Sequence, residues 1–181
     1  MDESSAPLLA EIAQQLSSAE IPWGIFAGAA IYAYGVVRPV TDVDILISSD
    51  SGGRAAICLP QAKPELDEAG QVAMLALPGF EIIAGLTRTI KMEMDGAMRA
   101  RLVPQQLWGV EVRLLSVEDN LVFKVIMGRG PEVGKRDWAD AAELLACGET
   151  LDWDYLHGRL RNCALGRADD LFVRLQQMAG E

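Results

Sequence analysis

The stretch TDVDILIS, residues 41–48, holds two aspartates one residue apart inside an otherwise apolar run. Side chains alternate along an extended chain, so Asp42 and Asp44 project to one side, roughly 6 to 7 Å apart, while Val43, Ile45 and Ile47 project to the other. Two carboxylates held this way repel each other, and a divalent cation relieves the repulsion. Hard oxygen ligands suit Mg2+, which takes one or two protein carboxylates and fills its remaining positions with phosphate and water. An amphipathic strand that shows two acids to solvent gives the same pattern with no metal. Upstream, FAGAA (26–30) places Gly28 and Ala29 at a turn into a helix, where unpaired backbone N–H groups form a seat for a phosphate. A phosphate seat followed by an acid pair is a layout for handling a nucleoside triphosphate. Arg38, four residues before Asp42, can reach a phosphate or pin the acid's rotamer, or can be a solvated loop arginine.

Composition narrows the chemistry further. The chain has 181 residues, half of them apolar, which suits one core with a helical portion attached: 1–115 as a catalytic core and 116–181 as a helical C-terminal portion, or a single domain throughout. The net charge of −10 repels a polyanion at long range, so extended nucleic acid is a poor partner. No apolar run is long enough for a membrane span, and MDESSAPLL opens with acids, so a cytoplasmic location is expected. Cys58, Cys147 and Cys163 are widely spaced and read as ordinary thiols. The single histidine, His157, reads as a helix-surface residue, which leaves catalysis to carboxylates.

The periodicities place these residues on an α+β fold. A helix is expected over 5–18, a buried strand over 21–26, a short helix over 29–34 and a strand over 41–48, with SDSGGR (49–54) as loop. Hairpins are expected from QVAMLAL through Pro78-Gly79 to FEIIAGL, and from TIKMEM through Asp95-Gly96 to AMRARLV, followed by VEVRLLS. Ser116 with Asp119 caps a helix that GRGPEVG (128–134) ends, and further helices are expected over 135–146, 152–164 and 167–178. Lys135, Arg136, Asp137 and Asp140 then open a helix whose acids suit its N-terminal dipole. Met92, Met94 and Met98 read as an apolar rim or as core filler.

Gly28-Ala29 followed by Asp42-Val43-Asp44-Ile45 resembles the signature of the DNA polymerase beta-like nucleotidyltransferase superfamily. LSVEDNLVFKVIMGR (115–129) and KRDWADAAELL (135–145) are similar to segments of its minimal and abortive-infection-type bacterial members. The resemblance implies a nucleotidyltransferase fold, a small mixed sheet flanked by helices. It implies two Mg2+ ions held by Asp42, Asp44 and a third acid on a neighbouring strand, Glu81 or its rival Glu111. It implies nucleotide contacts from Gly28, Ala29, Arg38 and Lys124, with an NTP as substrate. The activity implied is transfer of a nucleoside monophosphate to a hydroxyl acceptor, a small molecule being favoured over a protein or tRNA. A non-catalytic interaction module that keeps the fold, alone or as a homo-oligomer, is the rival of a different class.

Overall fold

The computed structural model describes residues 1–85, 93–148, 150–164 and 166–180. Leu9, Ile12, Ala13 and Leu16 form the buried stripe of α1 (Ala6–Ser18). The chain turns into β1 (Trp23–Phe26) and passes directly into α2 (Ala27–Ala33), then β2 (Val43–Ile47), α3 (Gly52–Cys58), β3 (Lys63–Leu66), β4 (Val72–Leu77) and β5 (Phe80–Ala84). A short α4 (Gly96–Ala100) leads to the hairpin of β6 (Val103–Leu107) and β7 (Val110–Leu114). Four helices follow: α5 (Val117–Met127), α6 (Asp137–Leu145), α7 (Trp153–Cys163) and α8 (Ala168–Ala179). Among the described residues no helix is long and apolar enough to cross a membrane.

The strands form one mixed seven-stranded sheet in the order β3-β4-β5-β2-β1-β7-β6, the α+β architecture expected. β2 runs antiparallel to β1 and parallel to β5, while β1 runs parallel to β7. Strand alternation sorts the side chains between two apolar layers. Ile25, Val43, Ile45, Ile47 and Ile82 pack with Leu9, Ile12 and Leu16 of α1. Phe26, Leu46 and Ile83 pack with Leu121, Val125, Leu144, Leu160 and Leu175 of the C-terminal helices. Residues 42, 44 and 81 share the parity of Leu46 and Ile83, so they belong to the face that looks toward those helices.

Three local readings change. Asp95-Gly96 is no hairpin turn: Asp95 is the N-cap of α4, its carboxylate accepting from the Met98 N–H at 2.9 Å. A capping aspartate and a type I′ turn share the Asp-Gly signal, and the helix propensity of AMRA decides between them. The expected TIKMEM strand lies largely outside the described residues, as does Met92, whereas Met94 and Met98 are core. The GGR of the expected loop instead begins α3. KPEL, unmarked by any alternation, pairs as the edge strand β3, where a proline is tolerated.

The rings of Phe26 and Phe123 meet edge to face with centroids 4.9 Å apart, joining β1 to α5. Phe26 is fully buried. Phe26→Ala is expected to cost about 3 to 5 kcal/mol, read by urea denaturation, with sheet and helices lost in one transition by circular dichroism and tryptophan fluorescence.

Candidate active site

The parallel register of β2 and β5 sets Asp44 directly opposite Glu81. Asp42 lies two residues earlier in the chain, its Oδ1 accepting from the Thr41 hydroxyl at 3.0 Å. Three carboxylates therefore share one end of one sheet face. Glu111 is placed elsewhere: it sits on β7 opposite Gln106, separated from β2 by β1. Of the two rival third acids, Glu81 is the one beside Asp44. Among the described residues no three His, Cys, Asp or Glu side chains are drawn together into a finished metal cage.

Asp44 reports what this crowding does. Burial, followed by the like charges of Asp42 and Glu81, raises its pKa from 3.8 to about 7, against the opposing pull of Lys124 and Lys135. Both lysines come from the C-terminal portion, so the face of the sheet that carries the acids also meets positive charge. Lys135, exposed and first read as structural, is thus part of the electrostatics of this site.

Lys124 is held, together with three arginines, by two buried aspartates of α6. Asp140, fully buried, pairs with Arg38, with Lys124 Nζ at 2.8 Å and with Arg136 Nε at 3.0 Å. Asp137 pairs with Lys124 Nζ at 2.9 Å and Arg129 Nε at 2.8 Å. Burial would raise the Asp137 carboxyl, but its hydrogen bonds from Arg129 and Lys124 outweigh burial and hold it below the ordinary value. Both acids open α6 as expected and in addition are buried and ion-paired. The signal available in the sequence was Lys124 itself, a lone cation inside the apolar run LVFKVIM, which requires a buried anion opposite it.

Arg38 ends over the turn after β1. A Cβ placed on Gly28 would lie 3.3 Å from Arg38 Nη2 and 3.4 Å from Cζ, so the guanidinium occupies the space that a side chain there would fill. The turn itself is held from α5. Ala27 adopts φ +56°, a left-handed conformation rare for alanine, and its N–H donates to Asn120 Oδ1 at 2.9 Å. The Asn120 amide nitrogen donates to the carbonyls of Leu115 and Ser116 at 2.9 and 3.0 Å. Ala29 is fully buried behind Gly28. The predicted cap is present, with Ser116 Oγ accepting from the Asp119 N–H at 3.2 Å.

His157 stands apart from this region's contacts. Its ring stacks on Phe172 at 4.1 Å between centroids and its Nε2 pairs with Asp169 at 2.8 Å, clasping α7 to α8. The expected helix-surface histidine lies partly exposed on α7 and also packs against α8.

Solved structures share this architecture at low identity. The antibiotic-resistance factor ANT(2'')-Ia in solution aligns over 90% of this chain and 94% of its own, with 16% identity and a TM-score of 0.58. The chain has the nucleotidyltransferase fold. The same factor crystallised with adenylyl-2''-tobramycin aligns over 96% and 98% of the two chains, with 13% identity and a TM-score of 0.55. A Thermotoga maritima protein assigned provisionally as a nucleotidyltransferase aligns over 74% and 91%, with 15% identity and a TM-score of 0.56. No family model matches the sequence, and no curated protein matches it.

Two outcomes follow from the site's geometry. A carboxyl whose folded pKa of about 7 exceeds its unfolded 3.8 binds more protons when native, so it lowers stability as pH rises between those values. In metal-free buffer, Asp44→Asn is therefore expected to raise the Tm at pH 8 and to leave it nearly unchanged at pH 4, measured by calorimetry. Asn120→Ala leaves the Ala27 N–H unpaired in the core and is expected to cost about 2 to 3 kcal/mol, read by chemical denaturation.

Proposed function

We propose that the chain is a Mg2+-dependent nucleotidyltransferase that moves a nucleoside monophosphate from an NTP to a hydroxyl of a small acceptor. The observation that carries this reading is the strand register, which puts Glu81 beside Asp44 with Asp42 on the same face. The donor set fits a hard dication: all three groups are carboxylates, and Asp44 is lifted to about 7 by burial and its like-charged neighbours, a surplus that such an ion relieves. Asp42, Asp44 and Glu81 would hold Mg2+, with two ions as the reading. When bound, Mg2+ supplies charge neutralisation between carboxylates and phosphates and lowers the pKa of an acceptor hydroxyl.

The chain's own groups take the remaining tasks. Glu81, acting as general base, accepts the proton of the acceptor hydroxyl. That oxygen forms its bond to the α-phosphorus as the bond to the departing pyrophosphate breaks in line. Arg38 donates to a phosphate from the guanidinium edge that lies over Gly28, and the Gly28 and Ala29 backbone lies beneath it. Lys124, with Nζ committed to Asp137 and Asp140, contributes mainly as fixed positive charge. The net charge of −10 and the adenylylated tobramycin in the ANT(2'')-Ia complex both favour a small, cationic, hydroxyl-bearing acceptor. A nucleotide-binding interaction module is the second reading, favoured by acids that share a face without closing on one point.

Titration calorimetry with ATP, GTP, CTP and UTP, with and without Mg2+, tests the site. Mg2+-dependent binding of at least one NTP is expected, with Asp42→Asn and Asp44→Asn each removing the metal dependence. Pyrophosphate release with a hydroxyl-bearing cationic acceptor such as tobramycin separates transfer from binding. An NTP affinity indifferent to Mg2+ defeats the proposal.

A further inference from the structure

Asp140 is an expensive residue to bury, because desolvating a carboxylate costs several kcal/mol unless its partners are well placed. An apolar side chain would satisfy the packing of α6 against α5. Instead Asp140 receives cations from three separate segments: Arg38 from the loop before β2, Lys124 from α5, and Arg136 from the turn before its own helix. Among the described residues Asp137 receives Lys124 and Arg129. Asp140 thus differs from Asp137 in holding Arg38, a cation from outside the C-terminal helices.

Arg38 is fixed by its edges. Nη1 donates to Asp140 Oδ2, and Nε donates to the Pro39 carbonyl at 3.3 Å. The Nη2 edge has no hydrogen-bond partner among the described residues and is the part of the guanidinium nearest Gly28. A planar fork gripped on one edge presents the other in a set direction, which a flexible ammonium does not do. Four cations, Arg38, Lys124, Arg129 and Arg136, surround the two buried aspartates. Among the described residues Glu143 pairs with Arg136 at the surface, and Lys124 also acts on Asp44.

We propose that Asp140 is a positioning residue for polyphosphate recognition, gripping one edge of the Arg38 guanidinium so that the other edge, over Gly28, meets a phosphate of the bound chain. This rests on the nucleotide reading above for its natural ligand. It predicts a dependence that a purely structural acid would not have: the effect of residue 140 on phosphate binding runs through residue 38.

Inorganic tripolyphosphate without metal, titrated calorimetrically into the full chain, is the probe. Asp140→Asn and Arg38→Ala are each expected to weaken it about tenfold, with the double variant no weaker than Arg38→Ala alone. Asp137→Asn combined with Arg38→Ala is expected to be multiplicative instead. Arg38→Lys keeps the charge and leaves Asp140 intact, and is expected to weaken binding about fivefold; it decides the matter if Asp140→Asn does not fold. Independent effects of Asp140→Asn and Arg38→Ala, wild-type affinity in Arg38→Lys, or no tripolyphosphate binding by the wild type overturns the proposal. Tripolyphosphate binding with the expected coupling, but no Mg2+-dependent NTP binding, upholds Asp140's role and overturns the nucleotidyl-transfer reading alone.

Discussion

Like charges do not gather without a force to hold them, and here the force is the pairing of β2 with β5. Their parallel register sets Asp44 against Glu81, and it is enforced from the opposite face, where Val43, Ile45, Ile47 and Ile82 are buried to the last side chain. A slip of one residue would send the acids into that apolar layer and the aliphatic side chains out of it. Each such side chain contributes about 1.5 to 3 kcal/mol when fully buried, so together they outweigh the repulsion among carboxylates. The hydrophobic layer packed on α1 thus holds the electrostatic stress on the other side of the same strands.

The C-terminal helices complete this balance. A chain with 26 acids and 16 basic residues has no cations to scatter. Four of them converge on Asp137 and Asp140, and Lys124 and Lys135 also temper Asp44. Short-range order overrides the overall sign of the charge, because partly buried pairs are weakly screened whereas the diffuse field of the surface decays within about a Debye length. A second buried acid follows the same logic away from the site. Burial pushes Asp119 up to about 6, against Arg159, the Tyr155 hydroxyl and Ser116, and the Arg159 guanidinium reaches on to Asp95 at the start of α4. The C-terminal helices are therefore tied by ionic links to α4 and to the loop before β2, and to the sheet by the Phe26–Phe123 contact.

What the sequence made legible follows from the range of each interaction. Alternation is local, so β2 and the shared side of Asp42 and Asp44 could be read directly, as could the Ser116 cap and the four C-terminal helices. Glu81 is preferred from the sequence with Glu111 as its rival, since both sit between apolar neighbours; strand order, a long-range property, puts Glu81 and not Glu111 beside Asp44. Asp137 and Asp140 do open α6 as the dipole rule expects, but their burial and ion pairs stay illegible, because acids at a helix start satisfy that rule whether or not they are buried. Asn120 left no trace, since its three hydrogen bonds reach backbone groups at positions 27, 115 and 116 rather than a side chain with a recognisable pattern. The Asp95-Gly96 signal failed for the opposite reason: it was local, but two local structures share it.

The turn between β1 and α2 brings these strands of argument together. Left-handed alanine costs roughly 1 to 2 kcal/mol relative to the helical region, and glycine at position 27 would relieve it. Yet Ala27 is buried in the layer that holds Phe26 and Ile31, where its methyl group contributes packing that glycine lacks. The strain is tolerable because the conformation is over-determined, by the buried amide of Asn120 on one side and by that packing on the other. Its consequence is geometric: the chain leaves the sheet and enters α2 with no intervening loop, so Gly28 arrives directly under the Arg38 guanidinium. A longer turn would move that glycine away from the Arg38 guanidinium. Strain at position 27, a missing side chain at 28 and a gripped arginine at 38 are therefore parts of one arrangement, and α5 and α6 supply the residues that hold it.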